Sequence, residues 1–296
     1  MSPDEASLRH RHEPPALVSC EHRRLADVLL RAARTGRAIP RLTEAISELN
    51  VADACRIRDM LLARRIGEGD QVIGAKVWLG RPPAENWRRA SDPQLGWLTD
   101  RMLVSSGAVD LSRLIHPRVE PRLGFLLGRP LREPIEAASD LLAATDRVLP
   151  CLEIVDHRYD GARPRLADVV ADNCGTSGLL LGHGVRPLAD GHLRRLRVRL
   201  DADGAVWAPP AVRADAVAPP LEAATWLANQ LIRGGNRPER GTLLVCPVAG
   251  GSVELLPGVR VTARFRDIGD IELQAVDAGP ARRARHAGSP APALAH

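Results

Sequence analysis

The chain has 296 residues, of which 45% are hydrophobic and 26% charged, with a formal net charge of +5. That length suits one core with a smaller cap rather than two large domains, and no apolar run approaches the roughly 18 residues a membrane span requires. The positive balance does not point to nucleic acid, because arginines stand beside acidic residues along the chain and only 3% of residues are aromatic and able to stack on bases.

Residues 1–18 read as a flexible leader; "MSPDEASLRHRHEPP" holds no hydrophobic stretch and so no secretory signal. A helical cap is expected over 19–70. In "HRRLADVLLRAARTGRA", Leu25, Val28, Leu29 and Ala32 share one helical face, and "VADACRIRDMLLARRIGEGD" repeats this with Ala54, Ile57, Met60 and Leu61, closing at Gly67. From Gln71 the pattern changes to short strand-like runs: "QVIGAKVWL", "RLGFLLG", "CLEIVDHRY", "LRRLRVRLDADGAVWA", "GTLLVC" and "VRVTARFRDIGDIELQAV". Two further helices are expected, near 134–147 and 220–233. Strands outnumber helices without βαβ alternation, which predicts an α+β domain over 71–276 built on a curved mixed sheet. Residues 277–296, ending in "ARRARHAGSPAPALAH", read as a disordered basic tail rich in Pro and Ala. The five cysteines (Cys20, Cys55, Cys151, Cys174, Cys246) are scattered and odd in number, as free thiols of a cytoplasmic protein would be.

Of 41 basic residues, Lys76 alone is a lysine. Either a coding bias towards arginine spared it by chance, or it does something a guanidinium cannot: an ammonium gives up its proton when desolvated, and arginine does not. Glu120, Glu153 and Asp156 lie in or beside apolar strands. A carboxylate so placed needs a partner, which is either one of the arginines or a divalent cation such as Mg²⁺ or Mn²⁺. The segment "VADNCGTSG" (170–178) is a polar turn, lining the same cleft or merely connecting. His116 and His157 lack metal-ligand spacing, and no GxSxG, HExxH, P-loop or dinucleotide fingerprint occurs.

"GAKVWLG", "LTDRM", "HPRVEPRLGFLLGR", "VLPCLEIVDHRY", "DVVADN" and "WLANQL" follow one another in this order. Over residues 25–275 the series resembles the 2-hydroxypentadienoate hydratase and 4-oxalocrotonate decarboxylase family of the fumarylacetoacetate hydrolase superfamily. "HPRVEP", "DHRY" and "DVVADN" lean towards the decarboxylase branch. The resemblance implies the superfamily's curved-sheet fold and an oligomeric lyase that chelates a 2-oxo or 2-hydroxy dienoate on a divalent metal. It also implies metal carboxylates at Glu120, at position 122 and at Glu153, with the family's active-site lysine at Lys76.

The departures from the family pattern gather in one pocket. Position 122 is Arg, and Gln94 in "PQLG" replaces an acid. Gly80-Arg81 replaces Thr-Ser after the lysine motif, Trp78 takes a small residue's place, and Pro247-Val248-Ala249-Gly250 replaces a G-S-L-T segment. Exchanging an anionic ligand for a cation turns attraction for a dication into repulsion, so no tightly bound cofactor is expected, although the family implies Mg²⁺ or Mn²⁺. Three readings stand. In the first, a repurposed lyase decarboxylates, dehydrates, isomerises or cyclises a small oxo-acid or enol. There Lys76 and Arg122 are catalytic, Trp78, Gln94, Arg81 and Asp172 bind substrate, and Glu120 and Glu153 are ligands only if a metal is bound. The second is a conventional Mg/Mn-dependent decarboxylase or hydratase. The third is a non-catalytic assembly partner of an active relative, whose charged residues pair among themselves. The resemblance implies a homo-oligomer, and none of the three readings calls for a nucleic-acid or membrane partner.

Overall fold

Alternation along the strands separates two faces of one large curled sheet, and this separation organises the fold. The structure, a computed structural model, describes residues 16–79, 93–160, 164–203, 205–206 and 219–277. The larger sheet holds β1 (Val72–Trp78), β2 (Gln94–Thr99), β4 (Arg118–Leu127), β5 (Thr145–Val155), β6 (Thr176–Leu181), β9 (Leu243–Pro247) and β10 (Val253–Glu254). Its order is β2-β1-β9-β4-β5-β6, with β10 pairing β4, and β1 and β9 run parallel. A second sheet has the order β3-β12-β11-β7-β8, from β3 (Ala108–Asp110), β7 (Val198–Ala202), β8 (Ala205–Val206), β11 (Arg260–Phe265) and β12 (Gly269–Val276).

One face of the larger sheet presents Ala75, Val77, Leu123, Phe125, Leu152, Ile154 and Leu244 to the main core, which also takes in the second sheet and helix α7 (Pro220–Arg233). α7 turns Leu221, Ala224, Leu227, Ala228 and Leu231 inward, the 3.6-residue spacing its sequence shows. Each such leucine, fully buried, contributes about 1.5–3 kcal/mol. The other face carries Leu98, Leu126, Leu149, Cys151, Leu179, Leu243 and Val245 in a smaller cluster. The sheet curls around that cluster until its edges meet: Leu103, just past β2, bridges Leu179 on β6, and Val104 N–H donates to the Leu179 carbonyl at 2.9 Å.

The N-terminal helices α1 (Ala16–Thr35), α2 (Leu42–Ala45) and α3 (Val51–Gly67) share a cluster with α5 (Leu166–Ala171). Leu25, Ala26, Leu29 and Leu30 pack with Ala54, Ile57, Leu61, Tyr159, Ala167 and Val170. Asn50 caps α3 by accepting from Asp53 N–H. Buried Asp168 accepts from both the N–H and the hydroxyl of Thr43, at 2.9 and 2.8 Å, tying α2 to α5. Helix α1 begins inside the stretch expected as a leader, while residues 1–15 and the tail 278–296 lie outside the described residues.

The helix expected over 134–147 is shorter: α4 spans Ala138–Ala144. The Asn229 side chain grips both backbone groups of Ile135, at 2.7 and 2.9 Å, and holds the chain out of helical conformation there. At the other end β5 starts at Thr145, paired with Leu127. Among the described residues the remaining α-helix, α6 (Asp190–Arg194), is a single turn. Among the described residues no helix is long and apolar enough to cross a membrane.

Candidate active site

Strand register brings the singled-out residues together. On β4 and β5, Glu120 stands opposite Glu153 and Arg122 opposite Cys151; Arg122 also faces Pro247 on β9. Lys76 on β1 faces Val245 on one side and Gly96 on the other. Directly opposed residues share a face, so Lys76, Glu120, Arg122 and Glu153 all point inside the curl, next to its small apolar cluster.

There they form one chain of ion pairs. Glu153, 0% exposed, receives Lys76 Nζ on Oε1 and Arg122 Nε on Oε2, the latter at 2.7 Å. Arg122 Nη2 also donates to Glu120 Oε2 at 2.6 Å. Two carboxylates and two cations leave the group formally neutral. Burial pushes the Glu153 carboxyl up, but Lys76 and Arg122 outweigh it and hold it below its ordinary value. Burial likewise opposes the charge on Arg122, and Glu153 and Glu120 more than restore it.

Lys76 is also 0% exposed, and its Nζ donates a second hydrogen bond, at 2.9 Å, to the Cys174 carbonyl. That carbonyl is presented by an unusual turn: Asn173, Cys174 and Gly175 have φ of 50°, 55° and 70°. Three consecutive left-handed residues are costly outside glycine and asparagine. The Asn173 side chain offsets this by pairing with the backbone of Trp97, accepting its N–H at 2.7 Å and donating to its carbonyl at 2.9 Å. Gly96 lies under the same lysine; a Cβ there would sit 3.0 Å from Lys76 Cε and 3.1 Å from the Asn173 carbonyl oxygen. Any larger residue would press on the lysine and the turn from below.

Trp78 and Gln94 oppose each other on β1 and β2, at positions that share the Lys76 face. Asp172 is buried and engaged with Arg158 and His157: its carboxylate accepts from the Arg158 N–H at 3.0 Å, lies 3.3 Å from Arg158 Nε and 3.6 Å from His157 Nδ1. Arg81 lies outside the described residues. Asp156 is also turned to a structural task, accepting from the N–H groups of Ile115 and His116. Burial raises the Cys151 thiol and pushes that of Cys174 up to about 12, so neither is a nucleophile near neutrality. The side-chain chemistry of the sequence had singled out neither Gly96, Asn173 nor the Cys174 carbonyl, although the Asn-Cys-Gly series is the kind that accepts left-handed backbone.

No protein-family model matches the chain. A 4-oxalocrotonate decarboxylase from Pseudomonas sp is 32% identical over 252 residues, 84% of this chain and 95% of that one. A 2-hydroxypent-2,4-dienoate hydratase from Pseudomonas putida is 32% identical over 209 residues, 70% of this chain and 94% of that one. The chain belongs to the 4-oxalocrotonate decarboxylase and 2-hydroxypentadienoate hydratase family. It is thus a member of a family of carbon–carbon and carbon–oxygen lyases with the fumarylacetoacetate-hydrolase fold. A solved structure of the 4-oxalocrotonate decarboxylase from Pseudomonas putida G7, complexed with magnesium and adipate, matches with a TM-score of 0.76 at 28% identity and covers 87% of this chain and 98% of that one. A second structure of that protein holds calcium and acetate.

For this family member a divalent cation is a poor fit to the residues present. Its two carboxylates are joined by the Arg122 guanidinium, so an ion between them would meet a fixed positive charge. Among the described residues no group of three or more His, Cys, Asp or Glu side chains is placed to hold a metal.

Proposed function

We propose that the chain is a lyase acting on a small 2-oxo or enol acid, with Arg122 supplying the positive charge at the reacting oxygen and no resident divalent metal. The observation that carries this reading is the Arg122 side chain bridging Glu120 and Glu153 beside Lys76. The named activities of the relatives supply the substrate class.

In decarboxylation the bond to the departing carboxylate breaks and CO₂ leaves. The bond's electron pair passes through the conjugated chain to the oxo oxygen, giving a dienolate. A guanidinium beside that oxygen stabilises the charge as it forms, and does so more strongly in a dry site than in water. The dienolate then takes up one proton. Lys76 is the group suited to deliver it, since arginine keeps its own protons. Dehydration, isomerisation or cyclisation through the same enolate would use the two cations alike. Trp78 and Gln94, opposite each other on the same face as Lys76, are proposed to shape the substrate end of the pocket. Asp172 is proposed to act at one remove, by holding the 172–175 turn.

The test is turnover of 4-oxalocrotonate and of 2-hydroxypenta-2,4-dienoate by the purified protein, with excess EDTA and then with excess Mg²⁺. Turnover that survives EDTA supports the reading. Turnover that vanishes with EDTA and returns with Mg²⁺ replaces it with the conventional metal-dependent enzyme. A non-catalytic assembly partner is the second reading, favoured by the completeness of the ion network: both oxygens of Glu153 are taken and Lys76 is sealed from solvent. No turnover under either condition, together with a stable complex formed with an active relative, would favour it. A homo-oligomer in a reducing cytoplasm completes the proposal and suits five free cysteines.

A further inference from the structure

Arg122 holds two carboxylates that are not equivalent. Glu153 is fully buried and shared with a second cation, Lys76. Glu120 has a side chain 31% exposed, and Arg122 Nη2 is its ion-pair partner among the described residues. Removing Glu153 from this arrangement would strand two buried cations, whereas swinging Glu120 away leaves Arg122 still paired with Glu153 and the network one positive charge in excess, which an incoming carboxylate offsets. The Glu153 pair is therefore the permanent one and the Glu120 pair the replaceable one.

We infer that Glu120 is an internal competitor for the carboxylate-binding fork of Arg122, and that a ligand carboxylate enters from solvent by displacing it. The inference rests on the proposed role of Arg122 and adds the residue that gates it. A guanidinium has five N–H donors in a planar fork. Among the described residues Nε serves Glu153 and Nη2 serves Glu120, so a carboxylate arriving along the Glu120 path meets N–H groups positioned for paired hydrogen bonds. The ligand class is a small mono- or dicarboxylate. A neutral or cationic molecule has nothing to offer in exchange for Glu120. Glu120 thus sets both selectivity and affinity: any ligand binds more weakly by the fraction of time Glu120 occupies the fork.

The experiment is calorimetric titration of oxalate into the full chain and into its Glu120→Gln and Glu120→Ala variants, in metal-free buffer, with melting temperatures recorded alongside. Glutamine keeps the size of Glu120 and removes its charge, so it tests competition without opening a cavity. The expected result is oxalate binding about 5- to 30-fold tighter in Glu120→Gln than in wild type, with alanine in the same direction. Unchanged or weaker binding in a folded Glu120→Gln, with wild type still binding, overturns this inference alone and leaves the role of Arg122 standing. No oxalate binding by any of the three proteins overturns both.

Discussion

Arg122 Nε lies 2.7 Å from Glu153 Oε2, and both side chains are buried inside the curl of the larger sheet. The family resemblance implies that carboxylate as a ligand of a dication, and here the guanidinium is paired with it. The same carboxylate orients Lys76 through its other oxygen, so one fully buried acid fixes both cations of the site.

Lys76 is the first residue to change. Lys76→Arg keeps the charge but loses the transferable proton, and its bulkier head must crowd the space that Gly96 leaves. Lys76→Met removes charge and proton at similar length. Both variants are expected to lose about 10²- to 10⁴-fold in turnover of the best substrate found, measured as kcat. Lys76→Met should also lose about 3 kcal/mol in denaturant titration, because Glu153 then keeps only one of its two cations. Near-full turnover in Lys76→Arg would assign the lysine an electrostatic role instead.

Glu153 carries a pH signature. Its folded-state pKa lies below its ordinary value, so its contribution to stability is complete above the unfolded-state pKa, about 4.3. That contribution is lost as pH falls from there through the depressed folded-state value. Wild type should therefore lose stability below about pH 4.3 more steeply than Glu153→Gln does, with the two curves converging in acid. Parallel acid limbs, read from melting temperature against pH, would mean that Glu153 is not held ionised by its two partners.

The left-handed turn under Lys76 should matter to rate more than to folding. Asn173→Gly tolerates the positive φ but deletes both hydrogen bonds to Trp97 and frees the Cys174 carbonyl. A drop in kcat of about 10-fold or more is expected with little change in KM, since a small displacement of a catalytic group is costly. Gly96→Ala, whose new methyl would meet Lys76 Cε and the Asn173 carbonyl, should cost about 1–3 kcal/mol in stability as well. A wild-type kcat in Asn173→Gly would make the turn purely a connector.

Assembly is open to a simple test. An oligomer is expected in solution, so light scattering should give a mass of at least twice the 32.0 kDa chain. A single-chain mass across a wide concentration range would remove that expectation.

The sequence shows some parts of this structure better than others, for physical reasons. α7 spans the stretch expected of it, because an amphipathic helix advertises its buried face every three or four residues. β2 and β6 were not read as strands: one is short and interrupted by Gly96, and the other follows directly on the polar turn. Lys76 stood out by its chemical singularity and Glu153 by its apolar neighbours. Their meeting with Arg122 depends on the register of β1, β9, β4 and β5, a non-local property that no window of sequence displays. The Cys174 carbonyl was hidden for another reason: every residue has a carbonyl, and only backbone geometry makes one of them a ligand.

Titration calorimetry of Mn²⁺ into wild type and Arg122→Glu asks whether the guanidinium has taken the place of a metal. If it has, wild type shows no stoichiometric site of micromolar affinity, and Arg122→Glu, which gives Glu120 and Glu153 a third carboxylate neighbour, gains one. A stoichiometric micromolar Mn²⁺ site in wild type that is lost in Glu153→Gln would contradict it.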